Sequence, residues 1–337
     1  MNGILVIKQN QKFFSSENFN YIFNMKNGNT MFWGKTKKDN PDISPFPMLI
    51  DMEITDICNG YNGVPCPFCY KSNTKCGTYM PFNIAKNIID KLPRGTTQIA
   101  FGVDATCSSN PDAFSIFNYA REKGFIPNVT VANVNMNLAS KLAGVCGAVA
   151  VSRYEDKEIC YNSVKNLTDM GLEQVNIHLM ISRETLHWAY ETIKDISTDN
   201  RLKKLNAIVF LSLKQKGRGT NFHPASIQDF NSIIEGVENN HINYGFDSCS
   251  ANKFLATKYG QKFSEYVEPC ESSLMSGYIN TRGRYFPCSF IEGTRGWEEG
   301  IPVLEYENFY EIWNSKKNLE FRRKVLDCKR SCPVFKV

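Results

Sequence analysis

The sequence predicts an α/β fold: a partial (β/α)6 barrel, preceded by a short N-terminal β-hairpin and followed by a cysteine-rich C-terminal domain. Three observations predict it. Six apolar runs of strand length alternate with amphipathic stretches of helical period. The runs are continuously apolar, as strands of a parallel sheet covered by helices are. Six units are too few for a closed eight-fold barrel. The expected boundaries are 1–45 for the accessory hairpin and linker, 46–215 for the barrel and 216–337 for the C-terminal domain.

In chain order, Asn20 to Met25 and Thr30 to Trp33 flank an Asn27-Gly28 turn, the signature of a hairpin. Lys35 to Pro47 is a polar connector. Strands are expected at 48–55, 97–103, 128–132, 147–152, 174–182 and 207–213. Helices are expected at 81–92, 110–124, 136–144, 155–170 and 183–196. After Lys214-Gln-Lys-Gly-Arg218 the alternation fades. Between Cys270 and Cys288, Ile279 to Pro287 reads as a second hairpin turning at Arg282-Gly283.

Composition narrows the class. In 337 residues the hydrophobic share is 42%, with 15 Tyr and 23 Phe, enough for a packed core. Net charge is only +5 with the signs interleaved, so a broad nucleic-acid-binding face is not expected. No run approaches the ~18 apolar residues of a membrane span. Met1 to Lys8 makes a poor signal peptide, so the 12 cysteines are expected in a reducing cytoplasm, serving metal rather than disulfides.

The stretch that organises the chain is Glu53 to Lys71. Cys58, Cys66 and Cys69 sit there in a Gly/Pro/Asn-rich loop directly after the first barrel strand, where active sites of parallel sheets lie. Three thiolates can wrap one corner of a cubane iron–sulfur cluster and leave one iron open. The spacing alone equally admits a structural zinc site with Cys76 as fourth ligand, or a redox Cys-x-x-Cys pair.

Taken with the strand before it and the units after it, Cys-Pro-Phe-Cys-Tyr resembles the loop of radical SAM enzymes, although seven residues stand between Cys58 and Cys66 where that family usually has three. The last third is similar to the family's SPASM and twitch extensions. Twelve residues separate Cys270 from Gly283 and four separate Gly283 from Cys288, and the tail ends Cys328-Lys-Arg-Ser-Cys332-Pro333.

The resemblance implies S-adenosylmethionine bound to a [4Fe–4S] cluster on Cys58, Cys66 and Cys69. Reductive cleavage there gives a 5′-deoxyadenosyl radical that abstracts a substrate hydrogen. It also implies one auxiliary iron–sulfur cluster, of [4Fe–4S] type, on Cys270, Cys288 and Cys332, with Cys328 or Cys249 as fourth ligand. A Cys249 left free would be placed to donate a hydrogen atom.

Cofactor contacts are implied for Phe68 and Tyr70 in the loop, Gly102, Val103 and Asp104 after the second strand, and Ser152 and Arg153 after the fourth. His178 is either a site residue or a hydrogen-bonded core histidine. Lys214 to Arg218 either faces an anion or is a solvated turn. Cys76, Cys107, Cys146 and Cys160 are expected to be packing residues. The expected substrate is a peptide to be cross-linked, epimerised or oxidised, and the expected electron source an external donor such as flavodoxin or ferredoxin. The alternatives are a twitch-type small-molecule dehydrogenase or rearrangement enzyme, and a non-catalytic iron–sulfur electron-transfer or metal-binding protein.

Overall fold

The structure, a computed structural model, describes residues 3–264, 267–268, 270–294, 296–329 and 331–335. Four N-terminal strands come first: β1 (Ile4–Lys8), β2 (Gln11–Ser15), β3 (Asn20–Asn24) and β4 (Thr30–Trp33). They form an antiparallel sheet in chain order, so the predicted hairpin is the second half of a larger unit. The first half escaped sequence reasoning because Ile4 and Ile7 carry apolar side chains into solvent, without the alternation of a half-buried strand.

Barrel units follow: β5 (Leu49–Glu53), α1 (Phe82–Lys91), β6 (Gln98–Gly102), α2 (Ala113–Glu122), β7 (Ile126–Val131), α3 (Met136–Val145), β8 (Ala148–Ser152), α4 (Lys157–Asp169), β9 (Val175–Ile181), α5 (Leu186–Ile196) and β10 (Ala207–Ser212). α6 (Ile227–Asn239) leads to β11 (Tyr244–Phe246), a short strand that adds to β10 in parallel. Local capping starts α3, which the sequence reading placed, and α6, which it did not. The Asn135 side chain accepts from the Leu138 N–H at 2.9 Å, and Ser226 with Asp229 forms a capping box on α6.

Beyond β11 lie α7 (Ala251–Leu255), α8 (Gly260–Phe263), β12 (Ser276–Ile279), β13 (Arg284–Phe286), β14 (Ile301–Pro302), α9 (Phe309–Trp313) and α10 (Lys316–Asp327). β12 pairs with β5 in parallel, so the sheet runs β11-β10-β9-β8-β7-β6-β5-β12-β13-β14. It is an open, partial barrel whose C-terminal hairpin continues the barrel's own sheet. The hairpin turns at Gly283, whose φ of +68° is the left-handed conformation glycine allows.

Period-2 alternation divides each barrel strand. Ile50 and Met52 are fully buried toward the helices, while Asp51 and Glu53 face the lumen. The N-terminal sheet docks at the N-terminal ends of the barrel strands. There the buried Lys12 ammonium donates to the carbonyls of Thr96 (2.7 Å), Gly124 (2.9 Å) and Arg94 (3.2 Å), and the Tyr21 hydroxyl donates to Gly95 O at 2.6 Å. This leaves the opposite, C-terminal ends of the strands for the cysteine loop.

Candidate active site

A cavity of about 590 Å³ opens at those C-terminal ends. Cys58, Cys66 and Cys69 line it together with Phe68, Tyr70, Gly102, Val103, Ser152 and His178. None of the three thiols is in a disulfide.

The loop is folded by its own residues and then tied down. Gly60 has φ +75°, and a Cβ there would lie 1.7 Å from the Val64 carbonyl oxygen, so the turn inside the seven-residue gap closes only with glycine. Tyr61, from the same gap, stacks on Tyr154 at 4.6 Å and 11°, and Tyr154 stacks on Phe68 at 5.6 Å. Asn133 donates to Tyr61 O at 3.0 Å. The long first gap therefore carries an aromatic anchor that reaches the residues after β8.

From the other side Arg218 clamps the loop. Its Nε donates to Cys66 O at 2.9 Å, its guanidinium to Asn73 O at 3.1 Å and its backbone N–H to Cys69 O at 3.0 Å. The Lys214 to Arg218 segment is thus no solvated turn. Lys214 is buried against Asp247 at 2.5 Å, both lining the cavity, and Lys216 donates to the carbonyls of Phe290 (2.9 Å) and Glu292 (2.6 Å).

Charge is arranged unevenly. The Cys66 thiol hydrogen-bonds to Cys69, which pushes Cys69 down to about 6 and Cys66 up, so Cys69 is the thiolate of the pair. Burial pushes His178 down to about 4, making it a neutral imidazole at neutral pH. Glu53 is raised by burial, against Lys71 at 3.2 Å and the Tyr278 hydroxyl at 2.7 Å. Lys71 also pairs with Glu292, so one buried network joins the loop, β5 and the C-terminal hairpin.

Two expected cofactor residues are elsewhere. The Asp104 carboxylate is turned into the 104–109 loop, accepting from the N–H groups of Thr106 (3.1 Å), Ser108 (2.8 Å) and Ser109 (2.9 Å); it is not among the residues lining the cavity. Short polar residues following an Asp favour such a turn. Arg153 is 1% exposed and points between α4 and α5, bonded to Glu191 at 2.5 Å. Its neighbour Tyr154 occupies the place expected of it, lining the cavity against Cys66 and Ser152.

A second group of thiols lies beyond β11. Burial raises the thiols of Cys249, Cys270 and Cys288, and neighbouring thiols add to the rise: Cys288 and Cys270 act on Cys249, Cys288 and Cys332 on Cys270, and Cys332 on Cys288, while Lys214 opposes the rise at Cys249. Cys328 is exposed at the end of α10 and enters none of these interactions. Cys107, Cys146 and Cys160 are buried, whereas Cys76 is exposed rather than packed.

Among the described residues, no three His, Cys, Asp or Glu side chains converge as ligands to a single ion would. A cluster takes its thiolates on different irons and asks for no such convergence. Soft, unpaired thiols around one cavity, on a loop cradled by Gly60, fit such a group at 58–69.

No protein-family model and no curated protein matches the chain. Solved structures do. Streptococcus suis SuiB bound to precursor peptide SuiA superposes with a TM-score of 0.67 at 14% identity, over 83% of this chain and 67% of that one. SuiB bound to S-adenosylmethionine gives 0.66 at 14% identity, over 84% and 69%. Native anSMEcpe with bound AdoMet and Kp18Cys peptide gives 0.59 at 13% identity, over 85% and 89%. All are radical SAM enzymes.

The chain has the radical SAM fold. In that fold the cysteine loop follows the first barrel strand, as Cys58 to Cys69 follow β5 here. Sequence reasoning missed Tyr61, Tyr154, the Arg218 clamp and the lumen carboxylate Asp51. The Tyr61 to Tyr154 contact spans two elements and leaves no periodic trace. Asp51 and Glu53 did carry a signal, as acids alternating with Ile50 and Met52 in an otherwise apolar strand.

Proposed function

We propose that this chain is a radical SAM enzyme that modifies a peptide. The observation that carries it is the position of Cys58, Cys66 and Cys69 on the wall of a large cavity at the C-terminal end of a radical SAM-type barrel. When bound, a [4Fe–4S] cluster with S-adenosylmethionine supplies a one-electron cleavage whose 5′-deoxyadenosyl radical takes a hydrogen from the substrate.

The chain's own residues hold and screen that chemistry. Cys58, Cys66 and Cys69 are the cluster ligands, and the Arg218 clamp and the Tyr61–Tyr154 stack fix their loop. The backbone of Gly102 and Val103, the Ser152 hydroxyl and the Phe68 and Tyr70 rings are the cavity groups available to the cofactor. Trp188 and Phe222 pack against Phe68 and hold its ring in place. A non-catalytic electron carrier needs no cavity of this size beside its cluster, which favours an enzyme.

For the auxiliary cluster, the clustering of Cys249 with Cys270, Cys288 and Cys332 supports Cys249 as fourth ligand and leaves Cys328 outside. Cys249 is then no hydrogen donor. SuiB and anSMEcpe were both seen with peptides, which supports a peptide substrate over a small molecule. The electron comes from an external donor of flavodoxin or ferredoxin type. No helix among the described residues is long and apolar enough to cross a membrane.

Replacing Cys58, Cys66 and Cys69 together by Ala tests the assignment. Anaerobically reconstituted protein is expected to lose the iron of one cluster, and its reduced electron paramagnetic resonance spectrum to lose the component that S-adenosylmethionine perturbs. An unchanged spectrum would refute it.

A further inference from the structure

The lumen below the cysteine loop has a feature that the cluster chemistry does not use. In a closed barrel of this kind, branched side chains fill the interior layers. Here the lumen-facing positions of β6 and β8 below Gly102 and Ser152 include Ala100, Ala148 and Ala150, and the space they leave belongs to the cavity. Beside it on β5, in register with Ala100 on one side and Tyr278 on the other, stands Asp51.

The other charged groups of the cavity have partners of opposite sign: Glu53 shares Lys71 with Glu292, and Lys214 pairs with Asp247. His178 is neutral. Asn128, in the same layer, is already bonded to Gln98 at 2.5 Å and to the Ala148 N–H at 3.0 Å. The Asp51 carboxylate lines this cavity, and the one charge that acts on it is the like charge of Glu271; no hydrogen bond or ion pair to it is found among the described residues. It is therefore a carboxyl with no cation beside it, facing a hollow that three alanines keep open. A carboxylate held out of bulk water without a partner is costly, and a cationic donor relieves that cost.

We infer that the lumen is a subsite for the cationic end of the substrate, a primary ammonium on a chain long enough to reach Asp51 from the cavity mouth. Within the function proposed above, this makes a peptide with a lysine-like side chain the substrate class. Polar recognition at an otherwise unpaired carboxylate discriminates more sharply than apolar fit, because the wrong ligand leaves the charge buried.

Binding without turnover tests it. The reconstituted, S-adenosylmethionine-loaded full chain is titrated calorimetrically with Nα-acetyl-lysine methylamide, its uncharged isostere Nα-acetyl-norleucine methylamide, and n-pentylammonium. The lysine derivative is expected to bind at least roughly tenfold more tightly than the norleucine one, the scale of one charge-assisted hydrogen bond. Asp51→Asn, which keeps the shape, is expected to erase that ratio. Ala100→Leu, which fills the hollow and keeps the charge, is expected to weaken the lysine derivative by a similar factor.

Binding of the lysine derivative alone supports a peptide source, and equal binding of n-pentylammonium supports a free amine; both support the subsite. Equal affinities for lysine and norleucine, or a preference that survives Asp51→Asn, would overturn it. A protein that shows the Asp51-dependent preference but never cleaves S-adenosylmethionine would sink the proposed function and leave this inference standing.

Discussion

Cys249 and Cys328 illustrate what separates two residues that sequence spacing could not rank. Both lie near the other C-terminal cysteines along the chain, but Cys249 is half-buried among them and Cys328 sits on the exposed end of α10. Cys249→Ser is expected to lose the iron of the auxiliary cluster and Cys328→Ser to keep it, as read by iron and sulfide analysis; the reverse pattern would reassign the ligand.

Asp51 makes a prediction of its own. Burial pushes its carboxyl from 3.8 up to about 7, so the folded chain holds a proton there that the unfolded chain releases. The sign follows from linkage. Between pH about 4 and about 7 the folded state binds more protons, so this group makes stability fall as pH rises, and the loss is complete above about 7. Thermal melting should find Asp51→Asn more stable than the native chain at pH 8, by a margin that shrinks toward pH 5. A constant margin would show an ordinary carboxyl.

At this scale the cysteines were legible because soft ligands on a Gly/Pro loop after a strand form a local pattern. The roles of Asp104 and Arg153 were not. Asp104 is claimed by hydrogen bonds from Thr106, Ser108 and Ser109, and Arg153 by Glu191 on α5.

Between elements, the cysteine loop depends on the segment after β10. Arg218 supplies three donors to loop carbonyls, and a side chain at Gly217 would collide with the loop carbonyls of Tyr70 and Cys69. Arg218→Ala removes two of those donors and is expected to loosen the loop by about 1–3 kcal/mol. Cluster retention during gel filtration should drop while the far-ultraviolet circular dichroism stays native. Retention equal to that of the native chain would show that the clamp is dispensable.

The strands and helices of the barrel were readable from period alone, since each buries one face against its neighbours. β11 was not, because three residues leave too short a pattern. The hairpin read at Ile279 to Pro287 is β12 and β13, but β14 was not seen and the pairing of β12 with β5 was invisible: it joins residues 49 and 276, and nothing local encodes so distant a register.

For the whole molecule, the sheet has two ends with different tasks. The N-terminal antiparallel sheet covers the starts of the barrel strands through Lys12 and Tyr21, and the cysteine loop and the Lys71–Glu53–Glu292 network gather at their ends. That division follows from the general rule that parallel α/β sheets carry chemistry at the carboxyl ends of their strands. The sequence could announce the barrel and its cysteine loop, whereas the lumen hollow beside Asp51 emerges only once the strands are brought into register. The central claim is that this arrangement cleaves S-adenosylmethionine reductively. The direct measurement is anaerobic incubation of reconstituted protein with dithionite and S-adenosylmethionine, followed by chromatography for 5′-deoxyadenosine. The account predicts slow accumulation of 5′-deoxyadenosine and methionine even without a peptide, abolished when Cys58, Cys66 and Cys69 are replaced by Ala. A fully loaded protein that forms no 5′-deoxyadenosine would contradict it.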